Sequence, residues 1–331
     1  MNAQEWLPLV FMALMGLAML AYVILDGYDL GVGMLMARAD DAHKDRMVAS
    51  IGPFWDANET WLVLGVGIML IAFPKAHGIV LGALYLPVAA MLLGLTLRGV
   101  AFEFRAKAAD EHKRLWNRLF TAGSGLAALS QGWMLARYIT AFQEGWQYTL
   151  FAACIALSLA AAYVLMGACW LIMKGEHELQ RDAVRWAKRA WPLMCLGLVA
   201  ISLATPWVSP TVRDKWFRLP EFIALLPIPL MSGLALLALR GLLNSSRILG
   251  KLCWLPFALL VCVFLLGALG LAYSIFPYVV MDRMTLWQAA SATSSLQIIA
   301  VGCALAVPAI IGYTIFAYRV FWGKATDLKY A

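Results

Sequence analysis

Acids and a guanidinium set inside apolar segments are the residues of this sequence that could do chemistry. Asp26 and Asp29 stand in Leu25-Asp26-Gly27-Tyr28-Asp29-Leu30-Gly31-Val32-Gly33. Asp56 and Glu59 stand in Ile51-Gly52-Pro53-Phe54-Trp55-Asp56-Ala57-Asn58-Glu59-Thr60-Trp61. Arg98 and Glu103 stand in Leu97-Arg98-Gly99-Val100-Ala101-Phe102-Glu103-Phe104-Arg105. An aspartate at the centre of a membrane helix costs about 2.5–3.5 kcal/mol on translocon scales, so acids kept there must be held by partners or put to use. The use that carboxylates offer inside a membrane is to hold and pass protons, so Asp56, Glu59, Asp26 and Asp29 are the candidate proton path. Each acid pair is spaced i, i+3 and shares a helix face. Arg98 is the counter-charge they need, and Glu103 is assigned to the same structural set, although Glu103 and Arg105 also read as plain interfacial residues. A purely structural reading stands beside the functional one: the acids tie three helices together through Arg98 and backbone amides.

The elements that must position these groups are membrane helices. Of the 331 residues, 63% are hydrophobic and only 14% are charged, against about 45–50% and about 25% in soluble domains. Apolar runs long enough to cross a bilayer recur throughout. Nine spans are expected, at 8–36, 52–73, 77–101, 117–140, 147–173, 188–208, 221–243, 252–276 and 294–322, within one integral membrane domain covering 1–331. Pro53 suits the first turn of the second span. The first run follows an N-terminal stretch without Lys or Arg and reads as a retained helix. Of the 26 Lys and Arg residues, 20 fall on the side reached after odd-numbered spans. That bias puts the N-terminus outside and the C-terminus in the cytoplasm. All six acidic and basic candidates then lie in the cytoplasmic half, on three consecutive helices. Gly27-xxx-Gly31 allows another helix to approach the first span closely. A net charge of +7 reports topology here and not nucleic-acid binding.

Other chemistries lack their residues. The four histidines, His43, His77, His112 and His177, fall in loops or at span ends, so no mid-membrane histidine pair is available to ligate haem. Walker, GxGxxG and HExxH patterns are absent, which leaves nucleotide-driven transport and zinc hydrolysis unsupported. The six cysteines are scattered through apolar runs without a CxxC pair and read as small buried residues, so no metal site is expected. Trp6, Trp146, Trp207, Trp216 and Trp322 fit an interfacial belt. Trp55 and Trp61 instead flank the acids of the second span. Packing is one reading for that pair, and a wall beside a polar or oxygen-conducting path is the other.

The three motifs quoted above, in order and on the first three spans, resemble the signature segments of subunit II of cytochrome bd-type quinol oxidases. Phe276-Pro277-Tyr278-Val279-Val280 and Leu286-Trp287-Gln288-Ala289-Ala290-Ser291 resemble the family's loop before the last span, with Gln288 where an Asp is common. The short loops are similar to those of the compact cyanide-insensitive branch. The resemblance implies two four-helix bundles plus one peripheral helix in an all-α polytopic protein. It implies a haem-free subunit whose partner, subunit I, holds haems b and d (or b only) and the quinol site. It implies a complex that oxidises quinol and reduces O₂ to water, building a proton gradient without pumping. Subunit II would supply part of the cytoplasmic proton route, with Asp56 as a member, and Trp61 would lie where an oxygen path has been proposed. A small single-span accessory subunit is often present, a structural quinone in this subunit is left open, and the setting would be a bacterial inner membrane. Two competing readings are a stand-alone proton-coupled secondary transporter and a purely structural membrane partner. Against the transporter, the acids crowd one face and no paired broken spans are seen.

Overall fold

The computed structural model describes residues 2–325. Met1 and 326–331, which the single-domain reading of 1–331 includes, lie outside the described residues. The described residues are all-α apart from one small hairpin. The first helix, α1 (Ala3–Leu35), continues as a 3₁₀ turn to Arg38. There follow α2 (Asp41–Ile51), α3 (Trp55–Ala72), α4 (Pro74–Ala83), α5 (Tyr85–Lys107), α6 (Asp110–Ile139) and α7 (Trp146–Lys174). The second half holds α8 (His177–Val208), α9 (Pro210–Trp216), α10 (Glu221–Leu225), α11 (Pro227–Leu243) and α12 (Leu255–Ile275). A hairpin of β1 (Tyr278–Val280) and β2 (Met284–Thr285) leads through α13 (Leu286–Ala289) to α14 (Thr293–Val320).

Among the described residues seven helices are long and apolar enough to cross a membrane, which makes this a polytopic α-helical membrane protein. Two further long helices among the described residues, α3 and α6, are more polar. α3 opens with Asp56, Asn58 and Glu59, and the first turns of α6 hold Glu111, His112, Lys113 and Arg114.

Several expected boundaries are corrected. The run expected at 77–101 is broken at Leu84, so the long helix is α5 (Tyr85–Lys107) and residues 74–83 form the separate short α4. The connection after the first span is itself partly helical, as α2. Pro53 does not lie in the first turn of α3. It sits in the turn between α2 and α3, where its missing N–H cannot continue the ladder of α2. The span expected at 188–208 begins at His177, because Leu179, Ala183, Trp186 and Ala187 keep one buried face while Glu178, Arg181 and Arg185 stay exposed. The span expected at 221–243 is divided at Leu226, just before Pro227.

α1 is the central helix. It packs on α3, α6 and α7, while α5 packs on α6 and α6 on α7. In the second half α7 packs on α8 and α11 on α12, and α14 lies against α3 and α1. Every residue from Asp26 to Gly33 is buried. Lipid tails are as apolar as leucine side chains, so helices in a bilayer associate through close approach of small residues and through polar bonds. Both occur here. A Cβ on Gly31 would lie 1.9 Å from the Tyr163 carbonyl oxygen, and one on Gly167 would lie 2.4 Å from the Gly31 carbonyl carbon. The backbones of α1 and α7 therefore touch at this crossing, and they hold α1 where its acids meet α3 and α5.

Candidate functional site

The site is built by three helices around Arg98. On α5 the buried positions Arg98, Ala101, Phe102 and Arg105 form one face, so Arg98 turns inward toward α1 and α3. Its Nη1 donates to Asp26 Oδ1 at 2.6 Å, and its Nη2 donates to Glu59 Oε1. One guanidinium thus binds α5 to α1 and α3 at once, a division that its planar fork allows and a lysine ammonium does not match. Arg98 and Asp26 are buried, with 1% and 0% of their surfaces exposed, and the Glu59 side chain is 27% exposed. The Trp55 ring lies 5.9 Å from the Arg98 guanidinium and packs on Phe102.

Asp29, one turn further along α1, joins through an amide. Asn58 Nδ2 donates to Asp29 Oδ2 at 2.8 Å and lies 3.0 Å from the Tyr28 hydroxyl. The Tyr28 and Tyr318 hydroxyls are 2.6 Å apart, and Tyr318 donates to Asn58 Oδ1 at 3.3 Å. A polar chain therefore runs from Asp29 through Asn58 and Tyr28 to Tyr318 on α14. A second chain leaves Asp26. Tyr22 sits beside Asp26 on α1. Gln131 Nε2 donates to the Tyr22 hydroxyl at 2.8 Å, and Tyr163 donates to Gln131 Oε1 at 2.7 Å. Asp26 Oδ2, Asp29 Oδ1 and Arg98 Nε are buried without a hydrogen-bond partner among the described residues. Two carboxylates thus share one guanidinium, with a third, Asp29, held beside them through Asn58, and the surplus acid can hold a proton.

The sequence-derived candidates separate accordingly. Asp26, Glu59 and Arg98 meet directly, and Asp29 joins them through Asn58. Asp56 lies exposed in the first turn of α3, on the face it shares with Thr60 and Val63. Glu103 is exposed and has no hydrogen bond or ion pair with another described residue. Five residues separate it from Arg98, which turns it about 140° away around the helix. The buried charge at this end of α5 is instead Arg105, which binds Asn117 and Asp45 at 2.5 and 2.6 Å. Trp61 is buried against Ala18 and Tyr22. Tyr22, Tyr28, Gln131, Tyr163 and Tyr318 were not singled out by sequence. Gln131 within an apolar run was the available signal. Gln288 caps its own helix, its Oε1 accepting from the Thr285 amide at 2.9 Å.

His43 lies in α2, His77 in α4, His112 in the first turn of α6, and His177 opens α8, so none of the four falls in the middle of a long apolar helix.

The chain is 27% identical over 336 residues to the cytochrome bd ubiquinol oxidase subunit 2 of Bacillus subtilis, covering 96% of this chain and 94% of the relative. It is 23% identical to the cytochrome bd-I ubiquinol oxidase subunit 2 of Escherichia coli K12, covering 97% and 96%. A chain in the structure of the bd oxidase from Geobacillus thermodenitrificans superposes with a TM-score of 0.78 at 17% identity, covering 96% of this chain and 98% of that one. At that identity the superposition speaks to the fold. The family described as cytochrome bd terminal oxidase subunit II matches residues 7–321, and the chain belongs to that family.

Proposed function

We propose that this chain is the haem-free subunit II of a membrane quinol oxidase, and that it carries protons toward the O₂-reducing site of its partner. Electron transfer from quinol to O₂, on haems b and d or on b alone, belongs to subunit I. That assignment is supported by the histidine positions above. In this reading nine helices span a bacterial inner membrane: α1, α3, α5 and α6 as one bundle, α7, α8, α11 and α12 as a second, and α14 at the edge. The whole chain forms a single membrane domain. The N-terminus faces outside, and the basic end, where Arg38, Arg105 and Lys174 lie, faces the cytoplasm. Exposed apolar side chains such as Val63, Leu93 and Leu305 leave surface for subunit I and for a single-span accessory subunit.

The observation that carries the proposal is the buried Asp26–Arg98–Glu59 cluster, open to the surface on its Glu59 side. Asp56, three residues earlier on the same helix, takes up a proton at the surface. Glu59 receives it, and Asp26 and Asp29 hold it inside through the shared Arg98 and Asn58. A stand-alone transporter is not favoured, because the cluster lies toward one end of the helices and the relatives are oxidase subunits. Affinity purification from native membranes, followed by a pyridine haemochrome assay, tests the assignment. The chain is expected to bring down a haem protein with a reducible spectrum and to show no haem absorbance once separated from it. Haem retained by the isolated chain overturns the assignment.

A further inference from the structure

At the basic end of the helices a groove of about 530 Å³ opens between the end of α1, the middle of α7 and the body of α8. Its walls are apolar, formed by Met34, Val164 and Leu193 among others, and it is deep because Ala37, Ala161 and Ala190 are small. Two arginines complete the lining, Arg38 and Arg189. Arg38 is the first basic residue after the apolar stretch of α1, and Arg189 is the last before the uncharged stretch 190–208 of α8. Both therefore mark the level where hydrocarbon meets headgroups. Both are exposed, and neither guanidinium has an ion pair or hydrogen bond with another described residue. Arg98, Arg105 and Arg185, by contrast, are all paired.

We infer that this groove binds one anionic phospholipid, with its phosphate between Arg38 and Arg189 and an acyl chain along Met34, Val164 and Leu193. The charge pattern selects the occupant. Two guanidiniums lining one groove suit a phosphate, which accepts from the planar fork of each. An apolar trough below them suits a lipid tail and not a soluble anion. A zwitterionic headgroup carries its own ammonium beside the phosphate and gains less from two arginines. The site is remote from the proton cluster and does not depend on it.

Native mass spectrometry of the purified complex, titrated with phosphatidylglycerol or with phosphatidylcholine, tests the inference. The wild-type complex is expected to hold one phosphatidylglycerol in preference to phosphatidylcholine. Arg38→Gln/Arg189→Gln is expected to weaken that binding about tenfold or more, as loss of two basic groups at a lipid surface implies. Ala161→Phe, which fills the trough and leaves the charge unchanged, is expected to reduce it as well. Equal binding of the two lipids by wild type, or unchanged phosphatidylglycerol binding in the double variant, overturns the inference. A measurement on unmutated protein covers a variant that fails to assemble. Diazirine-bearing phosphatidylglycerol should label peptides containing 161–164 or 189–193, and labelling confined to other helices overturns the site.

Discussion

Arg98→Ala removes the only cation of the buried cluster and leaves Asp26 fully enclosed without a counter-charge. Breaking a buried ion pair from one side costs about 3–5 kcal/mol. The loss is a large share of the roughly 5–15 kcal/mol that holds a domain together. Thermal unfolding of the detergent-solubilised complex, followed by fluorescence size-exclusion chromatography, reads the deficit. Arg98→Ala/Asp26→Asn should recover part of the loss, since the stranded charge is gone. An Arg98→Ala complex as stable as wild type, or a double variant no more stable than Arg98→Ala, would refute the reasoning.

Asp56→Asn should leave the melting temperature and haem content of the complex within error of wild type, because Asp56 is exposed and surface changes usually stay within about 0.5 kcal/mol. Quinol oxidase turnover should nevertheless fall. Gly31→Ala forces a methyl to within 1.9 Å of the Tyr163 carbonyl oxygen, and overpacking of this kind costs about 1–3 kcal/mol or more. Its complex should be recovered in reduced yield on gel filtration, with Gly167→Ala behaving alike. Asn58→Leu strips Asp29 of its amide donor and should destabilise by about 1–3 kcal/mol in the same thermal assay. Tyr318→Phe, which removes only the far hydroxyl of that chain, should cost less than Asn58→Leu.

The cluster was legible in sequence because expensive groups stand out against hydrocarbon. Asp26, Asp29, Glu59 and Arg98 are conspicuous in apolar runs, and helical spacing together with Gly27-xxx-Gly31 brought α1 close to a neighbour. What spacing could not supply was the rotation of each helix. Glu103 read as a partner of the cluster because it is near in sequence, yet the buried face of α5 runs through 98, 101, 102 and 105. Asp56 and Glu59 share a motif, but α3 buries positions 57, 58, 61, 65 and 68, which leaves Asp56 on the outer side. The polar chains are not legible in the spacing of charged residues, because their bonds run through Asn58, Gln131 and tyrosine hydroxyls. Helix breaks were missed for a similar reason. Hydropathy is continuous across 77–101 and 221–243. The restart at 227 is marked by Pro227, which opens α11, where a missing N–H is tolerated, whereas the break at Leu84 has no proline in the first two positions of α5.

The central claim is that protons for O₂ reduction enter through this subunit. Proton uptake from the cytoplasmic side during a single turnover, followed with a pH-sensitive dye on the intact Asp56→Asn complex, tests it most directly. The account predicts normal haem spectra with uptake slowed about tenfold or more, within the range that loss of a proton-transferring group gives. Uptake at the wild-type rate in a fully assembled complex would contradict it.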